Sequence, residues 1–381
     1  MRSRALFLMC LLGVSTLLAA DLPAGQIIDR VTCAADSSQT YALFVPAGYN
    51  TSRLWPVIFA FDPGGRGRTP VERYQAAAEQ YGFIVAGSNN SRNGSPEFVK
   101  AAEAMSADVI ARFNIDPKRI YLAGMSGGSR VALFIALQSD HIAGVIASSA
   151  GYPDSRPRKT LPFPIFATAG TEDFNHLEMR QLDRALTTPH HLAIFEGGHT
   201  WLSSGLAVEA VEWMEVQAMK SGQKPRDDQE IDRLFAKRAA AASAGTADKD
   251  TLLALQAIAA DFKDLKEVSA IDARAAELGR DNTIRAALKK DRDEDDREES
   301  VLREIASAGA RLASEEDRLE ALAELRQRWR TLSEQAKQRD DSVQRRVARR
   351  VLGSLGASAI TKDPDYLKII AQYRLGRGAP R

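Results

Sequence analysis

YLAGMSGGSR, residues 121–130, turns an apolar run into a serine set among small residues, with Gly124 two positions before Ser126 and Gly128 two positions after it. The spacing is G-x-S-x-G. Its context matters more than its letters: RIYLAGM before it reads as a buried strand and SRVALFIAL after it as a helix. On a bend this sharp, side chains two places either side of the serine would collide with neighbouring backbone, which glycine avoids. An ordinary strand-to-helix turn has no need of small residues on both flanks, so Ser126 is the candidate nucleophile.

Outward from this turn the pattern is regular. GQIIDRVTCAA, TYALFVP, WPVIFAFD, GFIVAGSN, RIYLAGMS, AGVIASSAG, PIFATAG and HLAIFEGG are apolar runs of strand length. Amphipathic stretches lie between them: VERYQAAAEQY, PEFVKAAEAMSADVIARFN, SRVALFIALQ, LEMRQLDRAL and LAVEAVEWMEVQAMK. Continuous apolar strands alternating with helices predict an α/β fold, a largely parallel eight-stranded sheet covered on both faces.

A serine hydroxyl needs a base, and ligands in such sheets meet the carboxyl ends of the strands. Of the five histidines, His141, His190 and His191 stand at the amino-terminal ends of strands. His199 follows HLAIF through Glu196, Gly197 and Gly198, at the same end as Ser126, and is the expected base; His176 is the reserve. The acid is expected just after PIFATAG, where Asp173 is preferred to Glu172 for holding the imidazole; capping LEMRQLDRAL is its structural alternative. An oxyanion site calls for the N–H of Gly127 and one N–H from FDPGGRG (Phe61 to Gly67). Pro63 has no N–H, so Gly64 is the expected donor and Gly65 the next, with a plain Gly-Pro turn as the alternative. Arg66 and Arg68 are candidates to reach a substrate carboxylate, with plain solvation as the alternative, and Trp201 either lines the site or packs in the core.

The chain has 381 residues and net charge +1, which gives it no overall pull toward nucleic acid. Arg2 and Arg4 precede sixteen uncharged residues, Ala5–Ala20, the layout of a secretory signal peptide (residues 1–20) and shorter than the roughly 20 apolar residues a membrane span requires. Export to the periplasm or medium is expected, with a membrane anchor only if that segment is kept. Cys10 would leave with it, and Cys33 alone permits no internal disulfide.

Charge density divides the remainder. Residues 221–381 hold 62 of the 101 Asp, Glu, Lys and Arg. Thus 21–220 is read as the α/β unit, SGQKPRDD (221–228) as a linker and 229–381 as a helical domain of four to six helices. Apolar spacing in the last is helical, as in Val301, Ile305, Ala308, Leu312 and in Leu319, Leu322, Leu325, Trp329, Leu332. DRDEDDREES (Asp291 to Ser300) and QRRVARR (Gln344 to Arg350) are read as solvated helix faces, with opposite charges that suit them to face each other. The helical region is also a candidate for oligomerisation or for binding a protein partner.

With GMSGG around Ser126, AGTEDF around Asp173 and EGGHTW around His199, residues 28–220 resemble an α/β-hydrolase fold serine esterase, similar to secreted bacterial enzymes of the polyhydroxybutyrate-depolymerase and feruloyl-esterase type. Two departures stand out: Asp62-Pro63 where that family usually has His-Gly, and the lack of disulfides. The resemblance implies acyl transfer through Ser126, an ester substrate, polymeric or aromatic, and no metal or organic cofactor. A metal cluster of Asp173, His176 and Glu178 is disfavoured, since Asp173 has the stronger use. Only Gly151 to Pro162 separate the sixth and seventh strands, which implies a site without a lid. Peptidase chemistry uses the same residues; esters are favoured because no propeller or cap precedes the α/β unit.

Overall fold

The computed structural model describes residues 22–154, 156, 158–354 and 363–373; the expected signal segment and Cys10 lie outside them. Eight strands form one sheet: β1 (Ile27–Thr32), β2 (Thr40–Phe44), β3 (Trp55–Phe61), β4 (Ile84–Ser88), β5 (Ile115–Met125), β6 (Ile142–Ser148), β7 (Ile165–Gly170) and β8 (His190–Phe195). Their order is β1-β2-β4-β3-β5-β6-β7-β8. The first two pairings are antiparallel and the rest parallel, as continuous apolar strands require.

Helices cover both faces. Those of the α/β unit are α1 (Arg68–Tyr81), α2 (Phe98–Arg112), α3 (Gly127–Ala136), α4 (His176–Ala185) and α5 (Ser204–Lys220). Alternate residues of β3 choose the face: Val57, Phe59 and Phe61 pack with Met105, Val109, Leu133 and Met179 from α2, α3 and α4. Ile58 and Ala60 pack with Val71 and Tyr74 of α1 and Val211 and Trp213 of α5. Parallel register brings the carboxyl ends level, with Phe61 opposite Gly124, Met125 opposite Ser148 and Gly170 opposite Phe195. The loops after β3, β5, β7 and β8 therefore share one rim.

The remainder is helical: α6 (Asp228–Ala244), α7 (Lys249–Phe262), α8 (Ser269–Leu278), α9 (Asn282–Arg311), α10 (Arg318–Ala336), α11 (Val343–Ser354) and α12 (Pro364–Tyr373). These are seven helices among the described residues, more than the four to six expected, because short α8 and α12 carry too few turns for a distinct periodic signal. Ile305, Ala308, Leu325, Trp329, Val347, Val351 and Ile369 form one core. Leu319 departs from its expected stripe and is 80% exposed. At about 100° per residue it stands at least ~60° around α10 from the other apolar positions.

A second helical core joins Val216 and Met219 of α5 to Ile231, Leu234, Leu255 and Phe262. Helix α5 is thus apolar on two sides, one against the sheet and one against α6 and α7. Across that seam Asp261 accepts hydrogen bonds from Trp213 Nε1 (2.9 Å), Gln217 Nε2 (3.2 Å) and Arg238 Nη1 (2.7 Å). Segment 221–228 is anchored as well: Lys224 pairs with Glu215 and Glu230, and Arg226 Nη2 donates to Leu265 O.

The two charge runs face each other across α9 and α11; Arg292, Asp293, Asp296, Arg297 and Glu299 are solvated as expected, but the sides that meet are not. Arg346 pairs with Glu294 at 2.6 Å, while Arg350 meets Glu294 at 2.8 Å and Glu298 at 2.7 Å. Arg350 and Glu298 are each 1% exposed. The Glu298 oxygen lies off the Arg350 N–H direction, so that contact is ionic without being a hydrogen bond. Asp295, also buried, accepts from Arg180 and Arg184 of α4. Opposite charges brought together this way enter a low-dielectric layer that neither run would enter alone.

Candidate active site

Ser126 closes β5 and caps α3 with φ 54° and ψ −122°, a left-handed backbone rare outside glycine. Such strain persists only where surroundings enforce it. A Cβ on Gly124 would come within 2.2 Å of Gly128 O, and one on Gly128 within 1.9 Å of Phe61 O. Both glycines are demanded by the close approach of three backbone segments, while the Ser126 N–H is fixed on Ser148 O at 2.8 Å.

His199, after β8, reaches back over this turn. Its Nε2 lies 2.8 Å from Ser126 Oγ and its Nδ1 2.8 Å from Asp173 Oδ1. With the proton on Nδ1, the ring donates to the carboxylate and leaves Nε2 to accept from the hydroxyl. Asp173 is fully buried, and its Oδ1 also accepts from the Asn175 N–H at 2.8 Å. Its Oδ2 is buried with no hydrogen-bond partner among the described residues, so its charge is compensated chiefly through the imidazole and that N–H. The loops carrying acid and base are tied by Thr171 N–H to Phe195 O (2.9 Å) and Glu172 N–H to Gly197 O (2.8 Å). Phe174 lays its ring on the imidazole, centroids 3.9 Å apart at 28°.

A serine at the β5–α3 turn, facing an acid after β7 and a histidine after β8 on this strand order, decides the architecture. This is the α/β-hydrolase fold. Among solved structures the chain is similar to a fluorophosphonate-binding serine hydrolase F of Staphylococcus aureus, at 15% identity and TM-score 0.40 over 50% of this chain and 99% of that one. It is also similar to an S-formylglutathione hydrolase of Staphylococcus aureus (15%, TM-score 0.39, 52% and 99% covered). A carboxylesterase of Bacillus cereus gives 17%, TM-score 0.38 and 48% and 96% covered. At these identities the likeness concerns the fold alone. No protein-family model and no curated protein matches the sequence.

The other residues that the sequence offered for the site fall elsewhere in this fold. The Glu172 carboxylate turns away from the imidazole to Arg349 and Arg345 of α11. His176 is buried with Nδ1 3.0 Å from Gly170 O, and burial pulls its pKa down to about 4. Glu178 holds Arg130 of α3 and accepts from Gly151 N–H, so it does not join Asp173 and His176 in a cluster. No group of metal-binding side chains occurs among the described residues.

The loop after β3 is organised around Asp62. The Gly64 N–H donates to Asp62 Oδ1 at 2.8 Å, and the Gly65 N–H to Asp62 O at 3.0 Å, so neither points freely into the site. Asp62 is fully buried and also accepts from Arg66 Nε (3.0 Å) and from Trp201 Nε1 (2.8 Å). Burial pushes its carboxyl up, but the bonds from Arg66, Trp201 and Gly64 outweigh that and hold it below the usual carboxylate range. Arg66 is thereby committed to Asp62, and Arg68 to Asp29 and Glu72. Trp201 is a core residue whose indole N–H ties the loop after β3 to the loop after β8. Asp62 is the organiser that sequence reasoning passed over, although Asp-Pro-Gly is a turn signature in which the Asp side chain caps the backbone two residues on. Gly127 stands at the first turn of α3 with the Asn93 carboxamide filling the place of a side chain.

Proposed function

We propose that this protein is an exported serine hydrolase that cleaves carboxylic esters by acyl transfer. The observation that carries the reading is the continuous chain of contacts from Ser126 Oγ through His199 to Asp173, each step 2.8 Å. His199 Nε2 takes the Ser126 proton as Oγ attacks the ester carbon, and Asp173 stabilises the imidazolium. The same proton goes to the departing alcohol. Water, deprotonated by His199, then attacks the acyl-serine, and Ser126 recovers its proton from the imidazolium. Gly127 N–H serves as the oxyanion donor, and Gly64 joins it by giving up its bond to Asp62.

Bulky or aromatic esters suit this site, because residues 149–164 between β6 and β7 are too few to insert a covering domain. Export rests on the charged and apolar pattern of residues 1–20.

A fluorophosphonate probe is expected to label the mature protein at Ser126, and Ser126→Ala to lower kcat on a short nitrophenyl ester by at least about 10⁴-fold. Undiminished turnover by Ser126→Ala would overturn the reading and turn attention to the helical region as a binding module.

A further inference from the structure

The basic run of α11 lies against the segment that carries the acid. That segment, Thr171 to Phe174, is held on one side by the base loop through the N–H groups of Thr171 and Glu172. From α11 Arg350 Nη1 donates to Thr171 O at 2.9 Å, and Arg349 Nη1 reaches both Glu172 oxygens at 2.8 and 2.9 Å. Arg345 adds a contact to Glu172 at 3.3 Å. Gly353, at the end of the helix, packs on Phe174, whose ring lies on the imidazole; a Cβ there would meet the Phe174 Cβ at 3.4 Å. Arg350 is itself immobilised by Glu294 and Glu298 of α9, and so acts as a fixed donor where a surface arginine would swing through solvent.

We infer that Arg349 and Arg350 are positioning residues for the reaction, holding Thr171–Phe174 so that the Asp173 carboxylate and the His199 ring stay in register over Ser126. The inference rests on the hydrolase reading for its kinetic consequence. It makes the helical region part of the catalytic apparatus. Two effects separate this role from simple reinforcement. A partly exposed ion pair contributes little to stability, about 0–1 kcal/mol. A shift of the acid loop by a fraction of an ångström weakens a relay that operates only at hydrogen-bond distance.

The test uses the full-length protein and three variants, Glu172→Gln, Arg349→Ala and the double variant. Glu172→Gln is the primary one because Arg349 also donates to Ala336 O, so its removal disturbs α10. Each single variant is expected to lose roughly 10- to 100-fold in kcat on a short nitrophenyl ester with KM changed less than about threefold, while the melting midpoint moves by only a few degrees. The double variant should lose clearly less than the product of the two single losses, since both cut the Glu172–Arg349 link, and Arg349→Lys should recover part of the loss. The far-downfield proton resonance of His199 Nδ1–H, which reports its bond to Asp173, should shift or broaden in parallel. Folded variants with kcat within about twofold of the parent and an unmoved resonance would overturn the inference. If Arg349→Ala does not fold, Glu172→Gln decides alone. If the parent itself turns over no ester, the hydrolase reading fails, and the resonance still decides whether the tail positions the acid.

Discussion

At Ser126 the backbone is strained and its neighbours are chosen by sterics, so Gly124 and Gly128 are the least replaceable residues of the turn. A Cβ at Gly128 would meet backbone, which cannot swing aside, and Gly128→Ala is expected to cost more than the ~1–3 kcal/mol usual for overpacking. Gly48, with open space around it, should accept alanine within about 0.5 kcal/mol; chemical denaturation of the two variants measures the contrast. Asp173→Asn is expected to drop kcat about 10⁴-fold with the fold intact, because an amide cannot hold the imidazole tautomer as a carboxylate does. Asp62→Asn should destabilise by about 1.5–3 kcal/mol through its charge-assisted bonds. Since the Asp62 pKa is depressed on folding, its contribution is present above the unfolded value, 3.8, and is lost as pH falls through the lower folded one. An acid titration of the parent against Asp62→Asn measures that loss. Ser126, His199 and Asp173 were legible from spacing and strand ends. Asp62 stood out only as a departure beside Pro63, because a carboxylate that captures backbone donors leaves no mark in the sequence beyond Asp-Pro-Gly.

Among the elements, α9 and α11 show how composition misleads when partners are unknown. Their charge runs predict solvated faces, yet Arg350 and Glu298 are buried together. Burial pushes the Glu298 carboxyl up to about 7 from the ordinary 4.5, against the pull of Arg350 and with Asp295 and Glu294 adding to the rise. A group raised on folding stabilises fully below its unfolded value and loses that contribution as pH climbs through the folded one. The α9–α11 seam is therefore expected to weaken between about pH 4.5 and 7, and Glu298→Gln to flatten that decline. His176 and His191, both depressed to about 4 by burial, act in the opposite sense between their ordinary 6.5 and 4. The informative quantity is thus the difference in melting midpoint between parent and variant from about pH 5 to about pH 8. An unchanged difference across that range would show that Glu298 does not titrate there. Strands, by contrast, were readable from sequence, because a strand buried on both faces is apolar whatever covers it.

For the whole molecule, the charge-density boundary at residue 221 coincides with the end of α5, but the packing does not divide there. Trp213, Val216 and Met219 of α5 are buried beneath or beside α6 and α7, each worth about 1.5–3 kcal/mol when covered. Residues 22–222 expressed alone are expected to bind more hydrophobic dye than the full chain and to self-associate through the bared α5 face; sedimentation and dye fluorescence read this directly. A monomeric fragment melting at the parent's midpoint would show the seam to be dispensable. Local patterning determined the sheet, the sharp turn at Ser126 and the rim on which acid and base were sought, because strand burial, helix periodicity and glycine sterics act over a few residues. The direction of Glu172, the capture of the Gly64 N–H by Asp62 and the seating of α11 on the acid loop were decided only by tertiary structure. Each depends on which distant charge arrives within about 3 Å, a quantity that no spacing along the chain encodes.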